Sequence, residues 1–291
     1  MKSTLAILSV LLCLVSWSGC VTSNTGGTGP LVFTAMGCGP YNEAAEVALR
    51  RFVATENRVS DSEFMVHLGD IVTGKRLDWG EDQFVKVHEL LTSGNSIPTF
   101  IVPGDNEWND QNDPAQSWIW WTNHFLMMDA RWDFPSPVAR QSGRWENFAF
   151  VRNGALVIGI NKVGGKIHDP AEWDARLADN AKWISAQFEE HGAKVHSAVI
   201  LAQATAAGGH TGMLKGFTNA AKAFGQPVLY LHADGHKWYV NEKEWAPNIT
   251  HVQLDLISSN FPPVQVTLTG DPKEPFRFDR RLDSSVWETK R

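Results

Sequence analysis

Two short runs carry the residues most able to do chemistry. Val66-His67-Leu68-Gly69-Asp70 and Ile101-Val102-Pro103-Gly104-Asp105-Asn106-Glu107 are each apolar, β-branched stretches that stop at Gly-Asp. That is the pattern of a buried strand delivering a carboxylate to the loop at its C-terminal end. Three further runs end in the same way: Leu31 to Met36 before Gly37-Cys38-Gly39-Pro40, Ala198 to Ala202 before Gln203, and Pro227 to Leu231 before His232-Ala233-Asp234-Gly235-His236. In α/β sheets ligands bind outside the carboxyl ends of the strands. Carboxylates gathered at that edge repel one another unless a cation or shared protons offset the charge, so a metal site is the first expectation.

The other reactive side chains have competing readings. His232 and His236 bring two imidazoles to the same edge, His210 follows Gly208-Gly209 in a flexible loop, and His67 lies inside a strand, where a structural role is expected. Cys38, flanked by glycines ahead of a helix, reads either as a small buried hydrophobe or as a nucleophile activated by the helix N-terminus. The second reading is disfavoured because a cysteine phosphatase closes its loop of amides with Arg, and no Arg follows before Arg50.

Elements must hold these groups in place. Leu31 to Met36 reads as a strand, and Glu43 to Asn57 as a helix with Val47, Leu49, Phe52 and Val53 as its apolar residues. Glu63 to Leu68 is a second strand, Glu81 to Thr92 a helix, and Pro98 to Val102 a third strand, an alternation that implies crossover units and a largely parallel sheet. Asp110 to Arg144 breaks the rhythm with Trp118, Trp120, Trp121, Phe125, Leu126, Met127 and Met128. It reads as an insertion over the site edge, packed into the core, with an aromatic platform for sugars or lipid as the alternative. Asn153-Gly154 between Asn147 to Arg152 and Ala155 to Ile160 is a hairpin signal and opens a second sheet. Asp169-Pro170-Ala171-Glu172 opens a long helix, Met213 to Phe224 holds another, and His251 to Ile257, Val264 to Leu268 and Phe276 to Phe278 read as antiparallel strands.

With 291 residues, 43% hydrophobic and 20% charged, the chain can bury a large core. Its net charge of -6 comes without a basic stripe, which argues against nucleic acid and for small substrates. Met1-Lys2-Ser3-Thr4 followed by apolar Leu5 to Val15 is the pattern of a secretory signal, too short for a membrane span. It ends Trp17-Ser18-Gly19-Cys20, which resembles the lipobox of bacterial lipoproteins, with Cys20 as the acylated residue and Val21 after it suggesting the outer membrane. The expected organisation is a signal at 1–19, a flexible Gly- and Thr-rich tether at 20–30 and one domain at 31–291, with the Trp-rich insertion at about 110–144. Cys38 then remains alone, so the mature chain has no internal disulfide.

In order, the strand ends resemble the five sequence blocks of calcineurin-like metallophosphoesterases: Asp-x-His, Gly-Asp, Gly-Asn-His-Asp/Glu, a lone His, and Gly-His-x-His. The resemblance spans about Leu31 to Phe278, and Pro103-Gly104-Asp105-Asn106-Glu107-Trp108 resembles a divergent branch whose members carry that same run. It implies an α/β fold, a four-layer αββα sandwich of two mixed β-sheets (the metallo-dependent phosphatase fold). Two metals about 3.5–4 Å apart would clamp a phosphoryl group and activate a hydroxide.

Carried over block by block, the resemblance makes Asp70 the bridging ligand. Cys38, Asp70 and His236 form one site, open to Zn or Fe. Asp70, Asp105, Gln203 and Asp234 form an all-oxygen site suited to Mg, Mn or Ca. Asn106 stands where the family has a His that assists the leaving group, so acid catalysis falls to His232 or His210 or is missing, while Asp70 and His236 belong to the catalytic cluster. Glu107 would hydrogen-bond a ligand from behind and Trp108 would wall the site. The expected function is exported, metal-dependent hydrolysis of a small phosphorylated substrate. The alternative is an inactive phosphoesterase fold that binds a ligand or protein at the cell surface.

Overall fold

A computed structural model describes residues 29–207, 211–282 and 285–287. The segment expected to be a signal, Cys20 and His210 lie outside the described residues. In chain order the elements are β1 (Leu31–Met36), α1 (Glu43–Val59), β2 (Met65–His67), α2 (Glu81–Thr92), β3 (Thr99–Ile101), α3 (Pro114–Phe125), β4 (Ala139–Gln141), β5 (Arg144–Arg152) and β6 (Ala155–Gly159). They continue with α4 (Pro170–His191), β7 (Ser197–Leu201), α5 (Leu214–Phe224), β8 (Val228–His232), β9 (Tyr239–Glu242), β10 (Ile249–Gln253), β11 (Val264–Leu268) and β12 (Phe276–Asp279).

The strands form two mixed sheets, a five-stranded one in the order β12-β11-β1-β2-β3 and a seven-stranded one in the order β4-β5-β6-β7-β8-β10-β9. Because side chains alternate across a strand, each central strand serves two cores. Phe33, Phe64, Phe100, Phe148, Phe150, Val199 and Leu231 face one another between the sheets. On the far side of the first sheet, Met36, Met65 and Ile101 pack under α1, α2 and α3 through Leu49, Phe52, Phe84 and Trp121. On the far side of the second, Ile158, Ile200 and Tyr230 pack under α4 and α5 through Leu177, Ile184 and Phe217. The result is the expected αββα layering.

Local chemistry sets the element ends. Asn42 caps α1 by accepting the Ala45 N–H, and Asp169 caps α4 by accepting from Ala171 and Glu172, with Pro170 in the first turn. Asn153 and Gly154 both take positive φ in the β5–β6 turn, as the hairpin signal requires.

Two expectations need correction. β10 runs parallel to β8 and is antiparallel only to β9, so the C-terminal segment is not a simple antiparallel run. β4 and β9 were not anticipated, since both are short edge strands with no buried residue and no apolar alternation. The Trp-rich segment supplies α3, a short 3-10 turn and β4, and its aromatic residues pack inward: Trp121 and Phe125 are buried, and Trp118 lies flat on Trp121 with ring centroids 5.2 Å apart.

Candidate metal centre

β1, β2 and β3 are mutually parallel, as are β6, β7, β8 and β10. Their C-terminal ends therefore deliver loops to one edge of each sheet, and those edges meet. The two Gly-Asp turns press against each other so closely that a Cβ on Gly69 would stand 2.7 Å from the Gly104 nitrogen. Glu107, fully buried, staples them: its carboxylate accepts the Gly104 N–H at 2.6 Å and the Ile71 N–H at 3.2 Å. The Cys38 N–H donates to the Gly69 carbonyl at 2.9 Å, and the Ala233 and Asp234 N–H groups donate to the Gln203 carbonyl at 3.0 and 3.1 Å. Cys38, Asp70 and His236 all hold left-handed backbone conformations, φ 55, 60 and 61. Non-glycine residues adopt that region at a cost, and it is enriched at functional sites.

The loops gather the expected donors into two groups that share Asp70. One donor atom each from Cys38, Asp70 and His236 lie within 4.8 Å of one another, and so do carboxylate oxygens of Asp70, Asp105 and Asp234. The Cys38 thiol donates to Asp70 Oδ2 at 3.5 Å, and the Asn106 N–H donates to Asp70 Oδ1 at 3.2 Å. Burial is the first cause of the electrostatics. It lifts Asp70 and Asp105 well above the usual carboxylate range, helped by Glu107 and Asp234 at Asp70 and by Asp70 and Asp234 at Asp105. Asp234 is also raised by burial, against the opposing pull of the Gln203 amide. Burial, then Asp70, pushes the Cys38 thiol up, so Cys38 is no ready nucleophile in this setting.

The residues fit a divalent ion. Asp105 Oδ1 is buried with no hydrogen-bond partner, the kind of oxygen that a cation completes. Gly165, at φ 69, closes over the group so tightly that a Cβ there would stand 2.6 Å from Asp105 Oδ2. Three carboxylates suit a hard cation such as Mg, Mn or Ca, whereas the thiol, carboxylate and imidazole of the other group suit Zn.

Three expected roles change, and that of His67 holds. Gln203 sits at the centre, but its amide nitrogen faces the acids, donating to Asp70 Oδ2 at 3.1 Å and Asp234 Oδ1 at 3.2 Å. Its oxygen is turned away and accepts the Gly164 N–H at 2.7 Å, so Gln203 acts as a donor and not as an oxygen ligand. His232 is buried on the face toward α4 and α5, where it pairs with His251 and Tyr239. Glu107 holds backbone instead of a ligand. His67 meets the Gly39 carbonyl at 2.8 Å, and burial lowers it to about 4, in keeping with a neutral structural histidine.

Sequence reasoning passed over two residues. Tyr41 reaches the centre from the loop after β1: its hydroxyl lies 3.4 Å from Asp70 Oδ2, 3.3 Å from His236 Nε2 and 3.3 Å from Asn106 Nδ2. A polar aromatic directly after Cys-Gly-Pro was the available signal. Lys162, at 1% exposure, is lowered to about 8 by burial and then by Arg176, against the pull of Asp234 and Asp105. A cavity of about 470 Å³ opens beside Tyr41 and His236, bordered also by Thr73, Lys75 and Ser258. On the other side Trp108, Asp110, Trp118, Lys166 and His168 line a cleft of about 980 Å³.

No protein-family model matches the sequence, and no curated protein matches it. Solved structures do. A dimetal phosphatase from Danio rerio superposes over 86% of this chain and 98% of its own with a TM-score of 0.59 at 11% identity. A Thermus thermophilus protein covers 86% and 99%, TM-score 0.50, at 14% identity. The chain matches 55% of a 5'-nucleotidase from Candida albicans over 89% of its own length, TM-score 0.50, at 11% identity. At such identities the likeness is one of fold, and the chain has the metallo-dependent phosphatase fold.

Proposed function

We propose that this chain is an exported, metal-dependent phosphoesterase acting on a small phosphorylated substrate, from a divergent branch of the calcineurin-like metallophosphoesterases marked by Pro103 to Trp108. Residues 31–291 act as one catalytic domain behind the tether, held at the outer membrane by acylation of Cys20. No helix among the described residues is long and apolar enough to cross a membrane. The observation that carries the reading is the pair of donor groups sharing Asp70 where the two sheets meet.

Asp70, Asp105 and Asp234 would hold one ion, and Cys38, Asp70 and His236 a second. Bound there, divalent ions would supply Lewis acidity and a water of lowered pKa. This chain's own residues do the rest. Gln203 holds two of the acids at a fixed spacing through its two N–H bonds. Asn106 orients Asp70 through its backbone N–H and Tyr41 through its side chain. Tyr41 and His236, hydrogen-bonded to each other at the mouth of the 470 Å³ cavity, are placed to hold the proton that a departing alkoxide needs. Lys75 on the same wall complements an anionic substrate.

Hydrolysis of p-nitrophenyl phosphate and its bis-ester, measured with Mn, Mg, Ca and Zn in turn, tests this reading. Activity with at least one ion is expected, and Asp70→Asn should lower kcat/KM by about 10²-fold or more, the scale of losing one preorganised charge-stabilising group. Absence of turnover with every ion would leave the second reading, an inactive fold that binds a ligand or partner. The Gln203 amide favours that alternative, because its N–H groups already satisfy two of the acids.

A further inference from the structure

On the face of the second sheet that packs under α4 and α5, three polar side chains converge in an aromatic setting. His232 ends β8, His251 lies on β10 and Tyr239 begins β9, and these strands are neighbours in the order β8-β10-β9. His232 and Tyr239 share one row of the sheet with Gln253 between them, and His251 sits two residues back along β10 on the same face. The three rings therefore lean together. His232 Nε2 and His251 Nε2 are 2.8 Å apart, and the Tyr239 hydroxyl is 3.0 Å from the first and 3.1 Å from the second.

The proton count makes this triangle unusual. The Glu244 carboxylate accepts from His251 Nδ1 at 2.9 Å, which places the proton of a neutral His251 on Nδ1 and leaves a lone pair on Nε2. His232 is 1% exposed, and its Nδ1 is buried with no hydrogen-bond partner. Two imidazole nitrogens and a phenol oxygen thus point at one small space. A tetrahedral ion bound at about 2.0–2.1 Å has its ligand atoms about 3.3 Å apart, close to the edges of this triangle.

Glu244, 43% exposed, stands behind His251 as carboxylates stand behind metal-binding histidines. Trp245 packs on His251 with ring centroids 4.1 Å apart, and Tyr239 is only partly buried.

We infer that His232, His251 and Tyr239 form a second, independent metal site for a divalent transition-metal ion of the Zn or Cu kind, with Glu244 orienting His251. When the ion binds, Tyr239 ligates as phenolate and its proton leaves to solvent. The site is separate from the carboxylate centre and does not depend on the proposed hydrolysis.

The test uses the full chain, stripped with chelator and titrated with Cu²⁺ in the presence of saturating Mg²⁺. Wild type should show a visible phenolate-to-copper absorption band, which Tyr239→Phe abolishes. His251→Gln should lower the bound Cu²⁺ or Zn²⁺ by one ion per chain. Glu244→Gln should keep the stoichiometry and weaken affinity about 10–100-fold. Should His251→Gln fail to fold, Tyr239→Phe decides alone, since it keeps the imidazole pair and loses only a hydroxyl. A Tyr239→Phe chain that matches wild type in spectrum and stoichiometry would overturn the proposal and leave a hydrogen-bonded triangle closed by protons.

Discussion

A carboxyl group taken out of water resists ionisation, and Glu107 shows what that means for one residue. It is fully buried, and burial raises it from the usual 4.5 to about 7, although the Gly104 and Ile71 N–H groups favour its charged form. Its folded pKa thus lies above its unfolded one. The contribution to stability is complete below about pH 4.5 and is lost as pH rises through about 7, with an upper size of about 3 kcal/mol. Asp70 and Asp105, raised for the same reason, act in the same direction. The chelator-treated protein should therefore melt at lower temperature at pH 8 than at pH 5, and Glu107→Gln should flatten that slope. An unchanged slope in the variant would show that Glu107 is not the titrating group. Which acids gather was legible from Gly69-Asp70, Gly104-Asp105 and Asp234. The orientation of Gln203 was not, because it is set by the N–H of Gly164, a partner in another loop.

α3 shows how an element couples packing to the site. Trp108, next to the Glu107 staple, packs on Trp118 at 4.4 Å, which lies on Trp121, which meets Phe125, and Phe125 reaches Phe84 on α2. This aromatic ladder braces the loop after β3 against two helices. Trp121, 1% exposed, is its middle rung, so Trp121→Ala should cost about 3–5 kcal/mol in denaturant unfolding. Trp145, 55% exposed, serves as the control and should change stability by less than about 0.5 kcal/mol when made Ala. Equal losses at the two positions would refute the bracing role. The same contrast explains what could be read from the chain. β1, β6, β7 and β8 are buried on nearly every residue and stood out as apolar runs, and α4 announced itself through Asp169-Pro170. β10 was found, but its direction was not, because periodicity reports which residues are buried and carries nothing about which neighbour a strand takes.

At the scale of the whole molecule, the candidate centre is a joint. The five-stranded sheet contributes Cys38, Asp70 and Asp105, the seven-stranded sheet contributes Gln203, Asp234 and His236, and the phenylalanine-rich core lies between them. Repulsion among Asp70, Asp105 and Asp234 acts across that joint and pushes the sheets' loops apart, so an ion held by all three would stabilise their association. At 100 times its Kd, such an ion adds about 2.7 kcal/mol, which for a chain of this size raises Tm by about 5–10 °C. Mn²⁺ should produce that rise in a thermal melt, and Asp234→Asn, which removes the second sheet's acid, should abolish most of it. Amide hydrogen exchange supplies the sharper reading. Added Mn²⁺ should slow exchange around Asp70 and around Asp234 together, because one ion restrains both loops. Slowing confined to the Asp70 side would mean that the ion is held by the first sheet alone, and the shared centre on which the hydrolytic proposal rests would fail with it.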